Sequence, residues 1–164
     1  MMHEHHLCSP SRMEWVTKKK PSGCIFCKIS KGGKNVPNMV LYKDKGFMVV
    51  MNIFPYNTGH LQVCPVRHVT KLEDLSDNEL SRLFIMVKRC QLLLTKALSP
   101  MGFNTGFNQG GDCAGASVEH LHVHIVPRFK RDFGFIDIIG RTKVLPEPVG
   151  STFKKLKRHV KMLE

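Results

Sequence analysis

Histidine alternates with aliphatic residues in the stretch His120-Leu121-His122-Val123-His124-Ile125-Val126. Successive side chains of a β-strand point to opposite faces, so this spacing predicts a strand that carries three imidazoles on one face. The aliphatic residues between them would point into a hydrophobic core on the other face. Because neutral imidazole serves as a ligand, base and nucleophile near pH 7, the pattern predicts a functional site.

A zinc site made of these three histidines is the alternative interpretation. Residues two apart on an extended strand lie about 6.5–7 Å from each other. That separation is wide for three ligands of one tetrahedral ion whose bonds are about 2 Å long. The spacing fits a row of groups that contacts an extended substrate better than it fits one metal ion.

A glycine-rich segment, residues 110–117, comes just before the histidine run. Glycine and alanine let backbone amides approach an anion closely, and Ser117 adds a hydroxyl donor. The same segment also fits a simple hairpin loop between two strands. The two interpretations are compatible, and together they make Gly115, Ala116 and Ser117 candidates for a phosphate pocket.

The composition fits one globular domain. The chain has 164 residues, of which 42% are hydrophobic, and it holds no apolar run of membrane-spanning length. No signal-peptide pattern opens it, and its 6 cysteines are scattered, which favours reduced thiols over a disulfide framework. We therefore expect a cytoplasmic protein without a membrane partner.

The net charge of +12 is concentrated near the two ends, at Lys18–Lys20 and Lys154–Arg158. Such runs are often solvated surface, but they also attract polyanions. No aromatic residues are interleaved with these lysines, so nucleic-acid recognition is not the expected use of the charge. Polyphosphate nucleotides are the expected anionic partners.

Strand and helix patterns alternate along the middle of the chain. Ser76 and Glu79 form a capping box, and a helical period of apolar residues follows it until Pro100. A turn is predicted at 57–59. The predicted strands cover residues 47–51, 61–64, 103–108 and 119–126. This order predicts an α+β domain with a long helix packed on one face of a sheet.

The motifs resemble those of the histidine triad (HIT) superfamily. Residues 115–128 resemble its signature, 52–65 its nucleotide-binding segment, and 24–29 its amino-terminal opening. Residues 133–146 resemble the bacterial and archaeal branch that includes diadenosine tetraphosphate phosphorylases. The resemblance implies a HIT-like fold with an antiparallel sheet, and a homodimer.

We accordingly divide the chain into three parts. Residues 1–20 form a disordered basic segment, and 21–145 form a HIT-like nucleotide-binding catalytic domain. Residues 146–164 form a basic extension, in which 153–162 are compatible with a short helix.

The resemblance also implies roles for the histidines. His122 is the expected nucleophile, which attacks the α-phosphate and forms a nucleotidyl-histidine intermediate. His124 is expected to contact the phosphate, and His60 to orient the nucleophile. His120 completes the catalytic set.

The nucleotide-binding candidates follow from the same resemblance. Asn52 matches the position that contacts the ribose, and Ile53 and Phe54 would line a nucleoside cleft, although both fit a simple core equally well. Gln109 and Ser117 would stabilise phosphate oxygens as fixed donors.

Two positions depart from the common pattern. Many relatives carry glutamine where this chain has Ala116, and hydrolase relatives often carry asparagine where it has Gln109. These departures bear on the preferred substrate. The third position of the triad is His124 rather than glutamine, which disfavours the sugar-phosphate uridylyltransferase branch.

A structural zinc site is the second predicted constellation. Cys24 and Cys27 form a C-x-x-C pair, and His68 lies where zinc-bearing relatives have a ligand. With His120 they would make a closed tetrahedral Cys₂His₂ site that holds the amino-terminal segment to the triad strand. Alone, the cysteine pair also fits two small buried apolar residues.

The predicted function is that of a nucleotidyl hydrolase or transferase acting on adenine nucleotides. Dinucleoside polyphosphates and nucleoside phosphoramidates are the expected substrates, with water or phosphate as acceptor. The alternative is a non-catalytic nucleotide-binding or partner-binding module that uses its basic termini as a contact surface.

Overall fold

A five-stranded antiparallel sheet forms the centre of the protein, in the strand order β1-β2-β3-β5-β4. This computed structural model describes residues 23–33, 36, 39–114, 118–132, 134, 139 and 144–164. The described helices and strands are α1 (Ile25–Ser30), β1 (Val40–Lys43), β2 (Phe47–Met51), β3 (Leu61–Pro65), α2 (Asp77–Leu98), β4 (Gly102–Gly106), β5 (Val123–Arg128) and α3 (Val149–Lys157). Short 3₁₀ helices lie at Leu72–Asp74, Gly111–Ala114 and Val160–Leu163. The predicted α+β class with an antiparallel sheet is confirmed.

The strand that was expected to carry all three histidines begins later than predicted. β5 starts at Val123, so His120 and His122 lie in the segment that leads into it. The backbone NH of Leu121 donates to the carbonyl of Val69, which lies beyond the end of β3. At Leu121 this long-range bond takes the place of the regular hydrogen bonds between paired strands. Of the three histidines, only His124 therefore belongs to β5. The strands predicted at 47–51 and 61–64 are confirmed.

The long helix α2 begins as the sequence predicts. The Ser76 hydroxyl accepts a hydrogen bond from the Glu79 amide, and the Glu79 carboxylate accepts one from the Ser76 amide. This reciprocal pair satisfies amides that have no partner within the helix. The buried side of α2 carries Leu83, Met86, Val87, Cys90, Leu93 and Leu94. No helix in the described ranges is both long and apolar enough to cross a membrane.

The two faces of the sheet pack against different helices. Apolar side chains of α2 and of β2, β3 and β5 form the main core on one face. On the other face, α1 places Phe26 against Met48, Val50 and Cys64. Because side chains alternate along a strand and Val123 and Ile125 enter the main core, His124 points to the α1 face.

Residues 149–164 pack against the rest of the chain. Leu156 and Leu163 are fully buried in the main core, and Arg89 of α2 donates to the Leu163 carbonyl. A helix occupies Val149–Lys157, where the sequence suggested one at 153–162. The boundary predicted at residue 145 therefore separates segments that share one core. The division of the chain stays a prediction, and the segment 1–20 lies outside the described residues.

Candidate active site and metal-ligand cluster

Five histidines lie near one another, but they form two groups rather than one row. The ring centroids of His122 and His124 are 4.6 Å apart, and those of His124 and His60 are 5.0 Å apart. His120 instead has its ring 5.1 Å from that of His68. All three triad rings are buried, with His122 4% exposed, whereas the sequence pattern suggested an accessible row.

His60 lies at the base of the first group, where its hydrogen bonds define its tautomer. Its Nδ1 lies 3.1 Å from the backbone NH of Tyr56, which can only donate, so this nitrogen accepts. We therefore assign the ring proton to Nε2, which lies 2.8 Å from Nδ1 of His124 and donates to it. Burial, followed by the charges that His124 and His122 would carry, lowers the pKa of His60 to about 3. The ring is neutral at pH 7.

The same reasoning extends to His124. Its Nδ1 accepts from His60, so a neutral His124 carries its proton on Nε2, the nitrogen left for a ligand. Burial and the neighbouring His122 lower the pKa of His124 to about 4. His60 thus holds His124 in a form that offers a hydrogen-bond donor.

His122 is held in the opposite tautomer. Its Nδ1 lies 2.6 Å from the backbone carbonyl of His120, which can only accept, so Nδ1 carries the proton. The lone pair is therefore on Nε2. Burial lowers the pKa of His122, partly offset by the hydrogen bond to that carbonyl, so the unprotonated Nε2 persists at pH 7. A neutral imidazole with one free nitrogen is a competent nucleophile.

His120 belongs to the second group, with two thiols. Its Nε2 donates to the Pro65 carbonyl at 2.9 Å, which leaves the Nδ1 lone pair free. That Nδ1 lies 3.3 Å from Cys24 Sγ and 3.7 Å from Cys27 Sγ. Nδ1 of His68, which is exposed, lies 3.4 Å from Cys27 Sγ.

These four residues fit a tetrahedral metal site. Their ligand atoms all lie within 4.8 Å of one another. Zinc bonds of about 2.3 Å to sulfur and 2.0 Å to nitrogen place two tetrahedral ligand atoms about 3.6 Å apart. The three sulfur-to-nitrogen distances bracket that value, and the free Nδ1 of His120 faces the thiols. The predicted set Cys24, Cys27, His68 and His120 is thus assembled in space as a cluster that could hold a metal ion.

The predicted ribose and nucleoside residues lie in the turn between β2 and β3. Asn52 donates from its side-chain amide to Nδ1 of His60 at 3.2 Å and accepts from the Phe54 amide at 2.9 Å. Ile53 lines an open groove of about 620 Å³ together with Met39 and residues 145–149. The turn therefore joins the nucleoside candidates directly to the histidine group.

The predicted phosphate donors are only partly described. Gly115, Ala116 and Ser117 lie outside the described residues. Gln109 is exposed, and its side-chain oxygen accepts from the Leu72 amide at 2.8 Å. Within the described ranges, its side-chain nitrogen makes no hydrogen bond and is a donor that a ligand could use.

Sequence reasoning missed three side chains at this site. The Phe26 ring lies 5.0 Å from His122 and 5.5 Å from His120, and the Tyr56 ring lies 4.7 Å from His60. Asn57 is buried and donates to the Pro127 carbonyl and to Asp132, which fixes the turn to the end of β5. The aromatic residues belong to no periodic pattern, and Asn57 was assigned only to a turn.

Two enzymes are similar to this chain in sequence. The AP-4-A phosphorylase of Mycobacterium tuberculosis is 42% identical over 118 residues, which are 72% of this chain and 60% of that protein. The asymmetrical bis(5'-nucleosyl)-tetraphosphatase of Schizosaccharomyces pombe is 39% identical over 104 residues, which are 63% of this chain and 57% of that protein. This chain therefore spans less than two thirds of the length of either relative.

A solved structure and a family match complete the comparison. A Zn-bound histidine triad family protein from Mycobacterium smegmatis superposes with a TM-score of 0.70 at 26% identity, covering 86% of this chain and 95% of that one. Residues 33–131 match the family described as HIT domain. The match includes the triad, and the chain belongs to the HIT domain family.

Proposed function

We propose that this chain is a nucleotidyl hydrolase or transferase that acts on the α-phosphate of adenine nucleotides through a covalent intermediate on His122. The observation that carries the proposal is the hydrogen bond from Nδ1 of His122 to the His120 carbonyl. That bond leaves Nε2 as the nitrogen that can attack. A buried, neutral histidine with one nitrogen committed to a backbone acceptor is oriented as a nucleophile.

The reaction follows from the two tautomers. Nε2 of His122 forms a bond to the α-phosphorus while the bond from phosphorus to the leaving oxygen or nitrogen breaks. The leaving group keeps the electron pair of that bond, and a leaving nitrogen takes up a proton from solvent and departs as the amine. His124, with its proton on Nε2, donates a hydrogen bond to the phosphoryl group. Water or phosphate then attacks the phosphorus and displaces His122. The nucleotide leaves with a new P–O bond, and the histidine is restored.

Each remaining candidate has a place in this scheme. Asn52 would contact the ribose, and Ile53 and Phe54 would bound the nucleoside. Gln109 and the backbone amides of 115–117, with the Ser117 hydroxyl, would stabilise phosphoryl oxygens. The two predicted acceptors match the two relatives, one named a phosphorylase and the other a tetraphosphatase.

Product separation distinguishes the two acceptors. We would incubate the purified chain with diadenosine tetraphosphate, with and without inorganic phosphate, and with adenosine phosphoramidate. ADP and ATP formed only with phosphate would indicate a phosphorylase. AMP formed without phosphate would indicate a hydrolase. No turnover of any of the three would refute the enzyme and leave a nucleotide-binding module.

The Cys24, Cys27, His68 and His120 cluster is proposed to bind zinc as a structural ion. Two thiolates and two imidazoles make a closed site with no open position for substrate, so its contribution is stability. The cysteines of the described residues are all free, in keeping with the expected cytoplasmic location.

A homodimer is the proposed assembly. β4 lies at one edge of the sheet, and the exposed side of α2 carries Phe84, Ile85 and Leu92, each at least 50% exposed. An exposed strand edge and an apolar helix surface are both kinds of surface that a second copy covers. Sedimentation of the full chain at twice its mass is expected, and monomer at all concentrations would refute the dimer.

A further inference from the structure

Among the described aromatic rings in contact with His60 or His124, Tyr56 is the one that is exposed to solvent. Its ring centroid is 4.7 Å from that of His60 and 5.7 Å from that of His124, at interplanar angles of 33° and 29°. The residue is nevertheless 59% exposed, whereas His60 is fully buried and His124 is 9% exposed. Imidazoles thus cover one face of the tyrosine ring, and the opposite face is open to solvent.

The backbone beneath this ring is fixed on both sides. The Tyr56 amide donates to Nδ1 of His60. The next residue, Asn57, is 4% exposed and donates to the Pro127 carbonyl at 3.0 Å and to Asp132 at 2.9 Å. Asp132 also accepts two hydrogen bonds from Arg128. A ring held this firmly presents a preformed surface, so a ligand that stacks on it orders little further structure.

The tyrosine is not held by its hydroxyl group. Within the described part of the chain, that hydroxyl makes no hydrogen bond, and the ring packs through its face alone. A hydroxyl with a structural task would be bonded and buried. What the residue offers to the outside is therefore a flat aromatic face.

The order of the rings indicates which part of a substrate could contact the exposed ring of Tyr56. From His122, the centroid distances run 4.6 Å to His124 and then 5.7 Å to Tyr56, a path from the buried nucleophile toward solvent. A leaving group departs in line, on the side of phosphorus away from the attacking nitrogen. The flexible polyphosphate of a dinucleoside substrate would carry its second base out of the buried site toward solvent, and Tyr56 is an exposed aromatic ring beside that site.

We propose that Tyr56 is a specificity-determining residue on which the base of the departing nucleotide stacks, so that the site prefers dinucleoside polyphosphates. The proposal rests on the proposed function and deepens it. Nucleobases stack on aromatic rings whatever their sequence, since every base has a π-face. Substrates without a second base would gain nothing from this residue.

Three substrates with the same adenosine at the reacting end test the proposal. Diadenosine tetraphosphate has the second base, adenosine 5'-tetraphosphate has the same phosphate chain without it, and adenosine 5'-phosphoramidate has neither. Tyr56→Ala is expected to lower kcat/KM for the first substrate by about 5- to 100-fold, which is the loss of one base stack. For the other two substrates the change should stay within about two-fold. Tyr56→Phe keeps the ring and should retain the preference.

Other results would overturn it. An equal loss on all three substrates would make Tyr56 a support for His60, and no loss on any would leave the ring without a role. If the unaltered chain turned over none of them, the proposed function would fail separately. Equilibrium dialysis would then test stacking without turnover. The ratio of the affinities for diadenosine tetraphosphate and adenosine 5'-tetraphosphate should differ between the unaltered chain and Tyr56→Ala, because only stacking makes that ratio depend on the ring.

Discussion

His120 and His122 are two residues apart, and they use opposite nitrogens. His120 donates from Nε2 to the Pro65 carbonyl and keeps Nδ1 free beside the thiols. His122 donates from Nδ1 to the His120 carbonyl and keeps Nε2 free. A backbone carbonyl selects the tautomer in both cases, so the direction of one hydrogen bond separates the proposed metal ligand from the proposed nucleophile.

Removing the proposed nucleophile should have the largest effect. His122→Ala is expected to lower turnover of diadenosine tetraphosphate by about 10³-fold or more, since the covalent intermediate cannot form. Binding of AMP, followed by calorimetry, should persist. His159→Ala, a histidine outside both groups, is the matched control and should keep its activity. Equal activity in His122→Ala and the unaltered chain would contradict the assignment.

Removing one ligand of the metal-ligand cluster should lower the stability of the fold. Cys24→Ser is expected to bind well below about one zinc ion per chain. Its free energy of unfolding should be lower by about 3 kcal/mol or more. Cys113→Ser changes an exposed thiol outside the cluster and should retain the metal. Metal analysis and urea unfolding of the three proteins provide the measurement. Unaltered chain purified without zinc, and unable to take it up, would refute the site.

Removing the support of His124 should have an intermediate effect. His60→Asn shortens the side chain, so Nδ1 of His124 loses its donor and its tautomer is no longer fixed. We expect kcat to fall by about 10- to 100-fold with zinc content unchanged. A loss of zinc in this variant would mean that the two groups are not separable.

Acid should weaken the fold through the buried histidines. The pKa values of His60 and His124 are lowered to about 3 and about 4, against 6.5 for a free imidazole. Between pH 6.5 and 4 the unfolded chain therefore binds more protons than the folded chain, and stability falls as pH falls. Each ring should cost about 1–2 kcal/mol between pH 7 and 5, measured by urea unfolding.

The His60→Asn variant checks the origin of this pH dependence. It lacks one of the two titrating rings, so its stability should fall less between pH 7 and 5 than that of the unaltered chain. An identical slope in both proteins would show that other groups cause the acid sensitivity.

Local patterns were sufficient for the elements with local causes. The capping box at Ser76 and the strands at 47–51 and 61–64 each depend on neighbours within a few residues, and all are found. The start of β5 was misplaced because the bonds of Leu121 and His120 go to Val69 and Pro65, more than 50 residues away. A one-dimensional pattern does not contain such partners.

The candidate site divides in the same way. Spacing and resemblance identified the histidines and the four ligand candidates, but not that His120 turns away from the other two. The tautomers, and the position of Tyr56 over His60, depend on contacts made only in the folded chain. The bond from Asn57 to Asp132 joins residues 75 positions apart and left no signal in the sequence.

The proton on Nδ1 of His122 also limits how an ion in the nearby metal-ligand cluster could bind His122. An ion bound by the thiols of Cys24 and Cys27 could also bind Nδ1 of His120. Nδ1 of His122 already carries a proton, so it has no lone pair for that ion. An ion bound in the Cys24, Cys27, His68 and His120 cluster could therefore not be drawn toward His122 through Nδ1, the nitrogen bonded to the His120 carbonyl.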